Sequence, residues 1–170
     1  MRAIKNEAGY SQFFYRDALL QGSYNVLQIL IELVQLPALE VQVLDILGAR
    51  SWGGDMSFLK RYLSLKDPRT YILALKVLAR NPIQDSYPYF EEALSSKNPE
   101  VRCLGIEGMS LFPSDQLCNI LENGLKDDEW MVRVAAGKAL KQQGDQGIEI
   151  LNRQPEGKEK EAAQFVLNFE

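Results

Sequence analysis

The chain is 170 residues long, 46% hydrophobic and 25% charged, the make-up of a folded unit large enough to bury a continuous core, which excludes a disordered chain. Its 19 basic and 23 acidic residues leave a net charge of −4, so nucleic acid is a disfavoured partner for a chain in which acidic residues outnumber basic ones. Histidine is absent, which removes the commonest general base and the commonest zinc ligand together; no cofactor, metal or catalytic residue is expected.

Residues 1–24 open the chain. Met1 to Asn6 carries two basic residues with no apolar block behind them, so no secretory signal is expected. Ala3 to Leu20, with Tyr10, Phe13, Phe14 and Tyr15, is expected to form one or two helices that close the end of a stack. The alternative is that this aromatic stretch lies beside a membrane or against a further domain. Val26 to Leu36 is the longest apolar run, yet Gln28, Glu32 and Gln35 interrupt it well short of the roughly 20 apolar residues that a membrane span requires, so it reads as a buried helix.

From there the chain alternates two kinds of helix. Phe58, Leu59, Tyr62 and Leu63 predict a first helix, as do Tyr89, Phe90, Ala93 and Leu94, and Ile120, Leu121, Gly124 and Leu125, all with apolar residues at helical spacing. Each precedes a second helix whose start repeats. Asp67-Pro68-Arg69-Thr70-Tyr71, Asn98-Pro99-Glu100-Val101-Arg102 and Glu129-Trp130-Met131-Val132-Arg133 stand 31 residues apart. The same step reaches Leu36-Pro37 on one side and Lys160-Glu161 on the other. Asp67 and Asn98 are placed to cap helices that begin with a proline, whose missing N–H costs nothing at that position. Small residues recur on the second helices at Ala74, Gly105 and Ala136, where two close helices leave no room for bulk. Cys103 and Cys118 lie among apolar positions and lack a CxxC spacing, which points to core packing in a reduced, cytoplasmic compartment.

The pattern Asn98-Pro99-Glu100-Val101-Arg102 with Gly105 and Met109, and its copies, resembles the short HEAT-like repeat of the phycobilisome lyases and, more broadly, HEAT and armadillo solenoids. The resemblance covers residues 25 to 170. It implies an all-α, right-handed α-solenoid of about four to five helix pairs with a 31-residue period, residues 25–170 forming one repeat array behind an N-terminal capping segment, residues 1–24. It also implies that Arg102 and Arg133 tie successive turns to an acidic capping residue, in preference to binding a ligand. Leu36 and Glu129 depart from the pattern at the capping place, and Glu40, Tyr71 and Gln164 at the arginine.

The function expected is that of a non-catalytic scaffold or adaptor that binds another protein along its concave or loop surface, the chain itself having no transmembrane segment and standing either alone or as the interaction domain of a longer, membrane-tethered polypeptide. Six residues are the candidate partner-binding set. Trp52 lies in a Gly-rich loop, placed either to anchor a partner or to fold back over a repeat edge. Lys76, Glu107 and Lys138 fall in one column of the repeat with Asp45, a row of alternating sign on the concave side, which suits a protein surface or simple solvation better than a phosphate groove. Trp130 opens a helix where other repeats place proline and, with Arg133, Lys138 and Lys141, makes a contact patch. The rival reading is a DNA-binding or chromophore-lyase type of enzyme, for which Glu107 between Lys76 and Lys138 is the one candidate carboxylate.

Overall fold

A computed structural model of the chain describes residues 24–49, 51, 56–64, 67–83, 85–114 and 116–169, with side chains from residue 29 onward. The expected cap, up to residue 23, and Trp52 lie outside the described residues. The described residues form ten α-helices and no strand. They fall into two compact units, Met1–Ile83 and Gln84–Glu170.

The first unit contains α1 (Tyr24–Leu33), α2 (Glu40–Leu47), α3 (Leu59–Ser64) and α4 (Pro68–Arg80). Helix α1 packs on α2, α3 packs on α4, and α2 lies directly against α4. Helix α4 starts as its sequence dictates. The Asp67 carboxylate accepts from the Thr70 N–H at 2.9 Å, and Pro68 occupies the first turn, where no donor is needed. Its buried face of Thr70, Ala74, Leu75, Val77 and Leu78 then meets the core. The Tyr62 hydroxyl donates to the Val34 carbonyl at 2.7 Å and so fastens α3 to the chain leaving α1; burial is the main reason its phenol is pushed above the usual range. Helix α2 begins at Glu40, three residues later than Pro37 would place it. Leu36 has no side-chain acceptor to cap a helix, so residues 37–39 form a turn instead.

The second unit contains α5 (Tyr87–Ala93), α6 (Pro99–Met109), α7 (Leu117–Gly124), α8 (Trp130–Gln142), α9 (Asp145–Asn152) and α10 (Lys158–Phe169). Helices pair as α5 with α6, α7 with α8 and α9 with α10, while α6, α8 and α10 stack on one another in sequence order. Glycines set how closely the layers approach. A Cβ on Gly108 would overlap the Phe90 ring, and one on Gly147 would overlap the Leu140 carbonyl. Gly105 likewise lets α6 lie within 3.0 Å of the Phe90 carbonyl, measured from the place its Cβ would take. Helix α10 starts at Lys158, earlier than Glu161, because Gly157, with φ of 139°, turns the chain just before it and Glu159 and Glu161 favour the N-terminal end of the helix dipole.

In each unit, therefore, consecutive helix pairs bury their apolar faces only by leaning on the next pair. That is the architecture of an α-solenoid. None of the described helices is long and apolar enough to cross a membrane.

Candidate functional site

The second helices of the second unit repeat an arginine near their starts, and its surroundings define the site. In α6 the Arg102 Nη1 donates to the carbonyls of Ser96 and Lys97, at 2.8 and 3.2 Å, closing the loop that leads into its own helix. The opposite edge of the same guanidinium reaches forward. Its Nε and Nη2 donate to the two oxygens of Asp127 at 2.7 and 2.8 Å, a forked ion pair that fixes the loop ahead of α8. Asp127 also accepts from the Glu129 N–H at 2.9 Å. Burial pushes the Asp127 carboxyl up, but the Arg102 fork, the Glu129 amide and nearby Lys158 overcome this and hold it below the usual carboxylate range. The Asp127 hydrogen bond in turn raises Arg102 further.

Arg133 in α8 begins in the same way. Its Nη1 donates to the carbonyls of Asp127 and Asp128, at 2.8 and 2.7 Å, again five and six residues back. The forward edge differs. Arg133 is only 7% exposed, and its buried Nε has no hydrogen-bond partner. The residue 25 positions after Arg102 is Asp127, whereas the residue 25 positions after Arg133 is Lys158, a base. Lys158 turns to Asp128 instead, at 2.7 Å. A buried donor without an acceptor costs roughly 1–3 kcal/mol.

Over this guanidinium lies Trp130. Its ring centroid is 5.5 Å from the Arg133 Cζ, within reach of a cation–π attraction. The same indole meets Phe165 of α10 edge-on, with centroids 5.5 Å apart, and Phe165 packs on Phe169 at 5.7 Å. The cluster is not sealed: Trp130 is 43% exposed, its neighbour in sequence Met131 48% and Phe169 77%. An open apolar surface of aromatic residues beside a cation with an unfilled edge is the most distinctive chemistry among the described residues.

The expected site residues separate. Trp130 and Arg133 stand together as the sequence led us to expect. Lys138 and Lys141 lie two and three turns further along α8, about 12 and 16 Å from Trp130 at 1.5 Å per residue. Lys141 donates from Nζ to the Val166 carbonyl at 3.1 Å and so ties α8 to the last turns of α10. Lys138 is half-buried on α8, and Glu107 is exposed on α6, the helix packed against it. Lys76 is half-buried on α4 in the first unit, with its Cβ 3.5 Å from the place a Cβ of Gly48 would take. Trp52 lies outside the described residues. Cys103 and Cys118 are buried free thiols, and burial is the first cause that pushes Cys103 up to about 11, where it is not nucleophilic at neutral pH.

Three contributors escaped the sequence reading. Phe165 and Phe169, four apart on α10, share the face turned to Trp130, a spacing that was available as a signal. Lys158 was equally visible, since the repeat step puts it in the column of Asp127.

Ordered helix pairs, capped by Asp67 and Asn98 and laced by Arg102, define a helical-repeat protein of the α-solenoid class. The profile of the family described as HEAT repeats matches residues 56–141, half of the chain. The chain belongs to the HEAT-repeat family, whose arrays are generally protein-interaction scaffolds. No curated protein matches it in sequence.

Proposed function

We propose that the chain is a non-catalytic scaffold that holds one protein partner, built as a right-handed solenoid of four to five pairs on a 31-residue unit. The observation that carries this reading is the aromatic cluster of exposed Trp130 and Phe169 with half-buried Phe165 beside the buried Arg133, since large apolar side chains next to a desolvated arginine are the usual anchors of protein interfaces. Lys76, Glu107 and Lys138 contribute charges of alternating sign, which suits a protein surface; Trp52 and Lys141 complete the candidate set. A cytoplasmic location belongs to the same proposal and is supported by the two free, buried thiols.

The test is affinity capture with the intact chain and with the double variant Trp130→Ala, Lys138→Glu, next to retention of a double-stranded DNA oligonucleotide. Specific protein capture that the double variant loses supports the scaffold. DNA retention that weakens steeply with salt, with no protein captured, overturns it in favour of the DNA-binding alternative.

A further inference from the structure

We infer that the forward edge of Arg133 is a docking point for a carboxylate on the partner, an aspartate or glutamate in an extended peptide whose neighbouring apolar side chain lies on Trp130, Phe165 and Phe169. This rests on the scaffold reading and names the chemistry of the partner at one site. The chain itself supplies the precedent. Arg102, with the same backward bonds to two loop carbonyls, takes a carboxylate on its Nε edge at 2.7 Å. Arg133 repeats those backward bonds, is more than nine-tenths buried, and has no acceptor for Nε because Lys158 stands where the next aspartate would be. Lys158 turns away to Asp128 and so does not compete for an incoming anion.

Charge selects the ligand. Arg102 is matched by Asp127 and Lys158 by Asp128, so the guanidinium of Arg133 is the one cation of the three left to face a partner, and Glu129, close in sequence, opposes any further negative charge. A single carboxylate matches that one cation, whereas a phosphate dianion brings a second negative charge for which no cation is left and which Glu129 opposes. The apolar half of the site explains why a peptide is favoured over a free anion. Access to Nε requires the half-exposed indole of Trp130 to shift, and contact with an apolar side chain offsets the exposure that this shift creates.

The test is titration of the full chain, followed by the NMR cross-peaks of the arginine Nε–H groups and of the Trp130 indole N–H. The probe is a short N-acetylated, C-amidated peptide with aspartate between leucine and phenylalanine; the control carries asparagine in place of the aspartate. Binding in the range of about 0.1–1 mM is expected to move the Arg133 Nε–H and Trp130 signals, to leave the already paired Arg102 Nε–H in place, and to be at least about tenfold weaker with the asparagine peptide. Lys158→Asp, which offers Arg133 a carboxylate from within the chain, is expected to weaken peptide binding by a similar factor without unfolding the protein. Equal responses to the two peptides, a response by Arg102 as large as that of Arg133, no response up to millimolar peptide, or a stronger response to inorganic phosphate each overturn the assignment. A silent Arg133 together with partner capture that still depends on Trp130 and Lys138 removes this docking point and leaves the scaffold standing.

Discussion

Arg102 and Arg133 occupy the same place in consecutive repeats, and both turn Nη1 back to the two equivalent loop carbonyls: the bond six residues back is 2.8 Å in each, and the bond five back is 3.2 Å at Arg102 and 2.7 Å at Arg133. Their forward edges part company. The α6 arginine grips Asp127 and acts as internal glue, while the α8 arginine ends on a buried Nε without an acceptor, under a tryptophan that is open to solvent. One scaffold position thus serves cohesion in one layer and is left over for something else in the next. The difference lies in one column of the repeat, Asp127 against Lys158, and not in the helices themselves.

The strongest way to break this comparison is to remove each arginine in turn. Arg102→Met strands a largely buried carboxylate and frees two carbonyls, so a loss of about 3 kcal/mol is expected, seen as a fall in Tm of about 6–12 °C for a chain of this size. Arg133→Met frees two carbonyls but also removes an unpaired donor, and about 1–2 kcal/mol is expected. Equal losses in thermal unfolding would show that the forward edges do not differ in energy. The pH dependence sharpens the point. Because the Asp127 carboxyl is held low in the folded chain, its ion pair stabilises fully above the ordinary carboxylate value of about 4 and is lost as pH falls through the lower folded value. Denaturant titrations should therefore find wild type more stable than Asp127→Asn by about 2 kcal/mol at neutral pH, with the gap closing only below about pH 4. A gap that is the same at pH 3 and pH 7 contradicts the ion pair.

Trp130→Ala comes next in size. The half-exposed indole gives up an edge contact with Phe165, a cation–π contact with Arg133 and partial burial, so about 1–2 kcal/mol is expected, measured as the shift in denaturant midpoint. A loss of several kcal/mol would identify Trp130 as core and remove it from the surface set.

Much of this layout was legible in the sequence because it rests on local rules. Asp67 and Asn98 ahead of prolines announce helix starts, and the caps form to Thr70 and Glu100 as capping chemistry requires. The recurring small residue at Gly105 foretold the close approach to Phe90. The starts at Leu36 and Lys160 failed for equally local reasons: a leucine cannot cap, and Gly157 reverses the chain before the repeat step says it should. The site was harder to read. Trp130 and Arg133 share the first turn of one helix and were found together, but Lys138 and Lys141 were grouped with them by charge alone, although three turns of helix separate Lys141 from the indole. Phe165 reaches Trp130 only through the stacking of α10 on α8, a contact between distant segments that no single helical pattern displays.

The smallest expected effect is the most diagnostic of the comparison, because its sign is unusual. Lys158→Asp removes the exposed pair with Asp128, whose lysine is 38% and aspartate 98% exposed, and surface pairs of that kind contribute between zero and about 1 kcal/mol. In return it places a carboxylate in the column that Asp127 fills for Arg102, where a bond to a charged, buried donor is worth about 1.5–3 kcal/mol, less the entropy of holding the new side chain. The Asp128 carboxylate, held low chiefly by its hydrogen bond to Lys158, then returns toward its ordinary value while staying solvated. The balance is a gain of about 0.5–1 kcal/mol, or a rise in Tm of about 1–4 °C, from a substitution that makes an acidic protein more acidic. Lys158→Asn serves as the control, since it removes the same surface pair without offering a carboxylate. If the two variants unfold at the same temperature, the Nε edge of Arg133 is not a carboxylate site, and the contrast with Arg102 ends at the loop carbonyls.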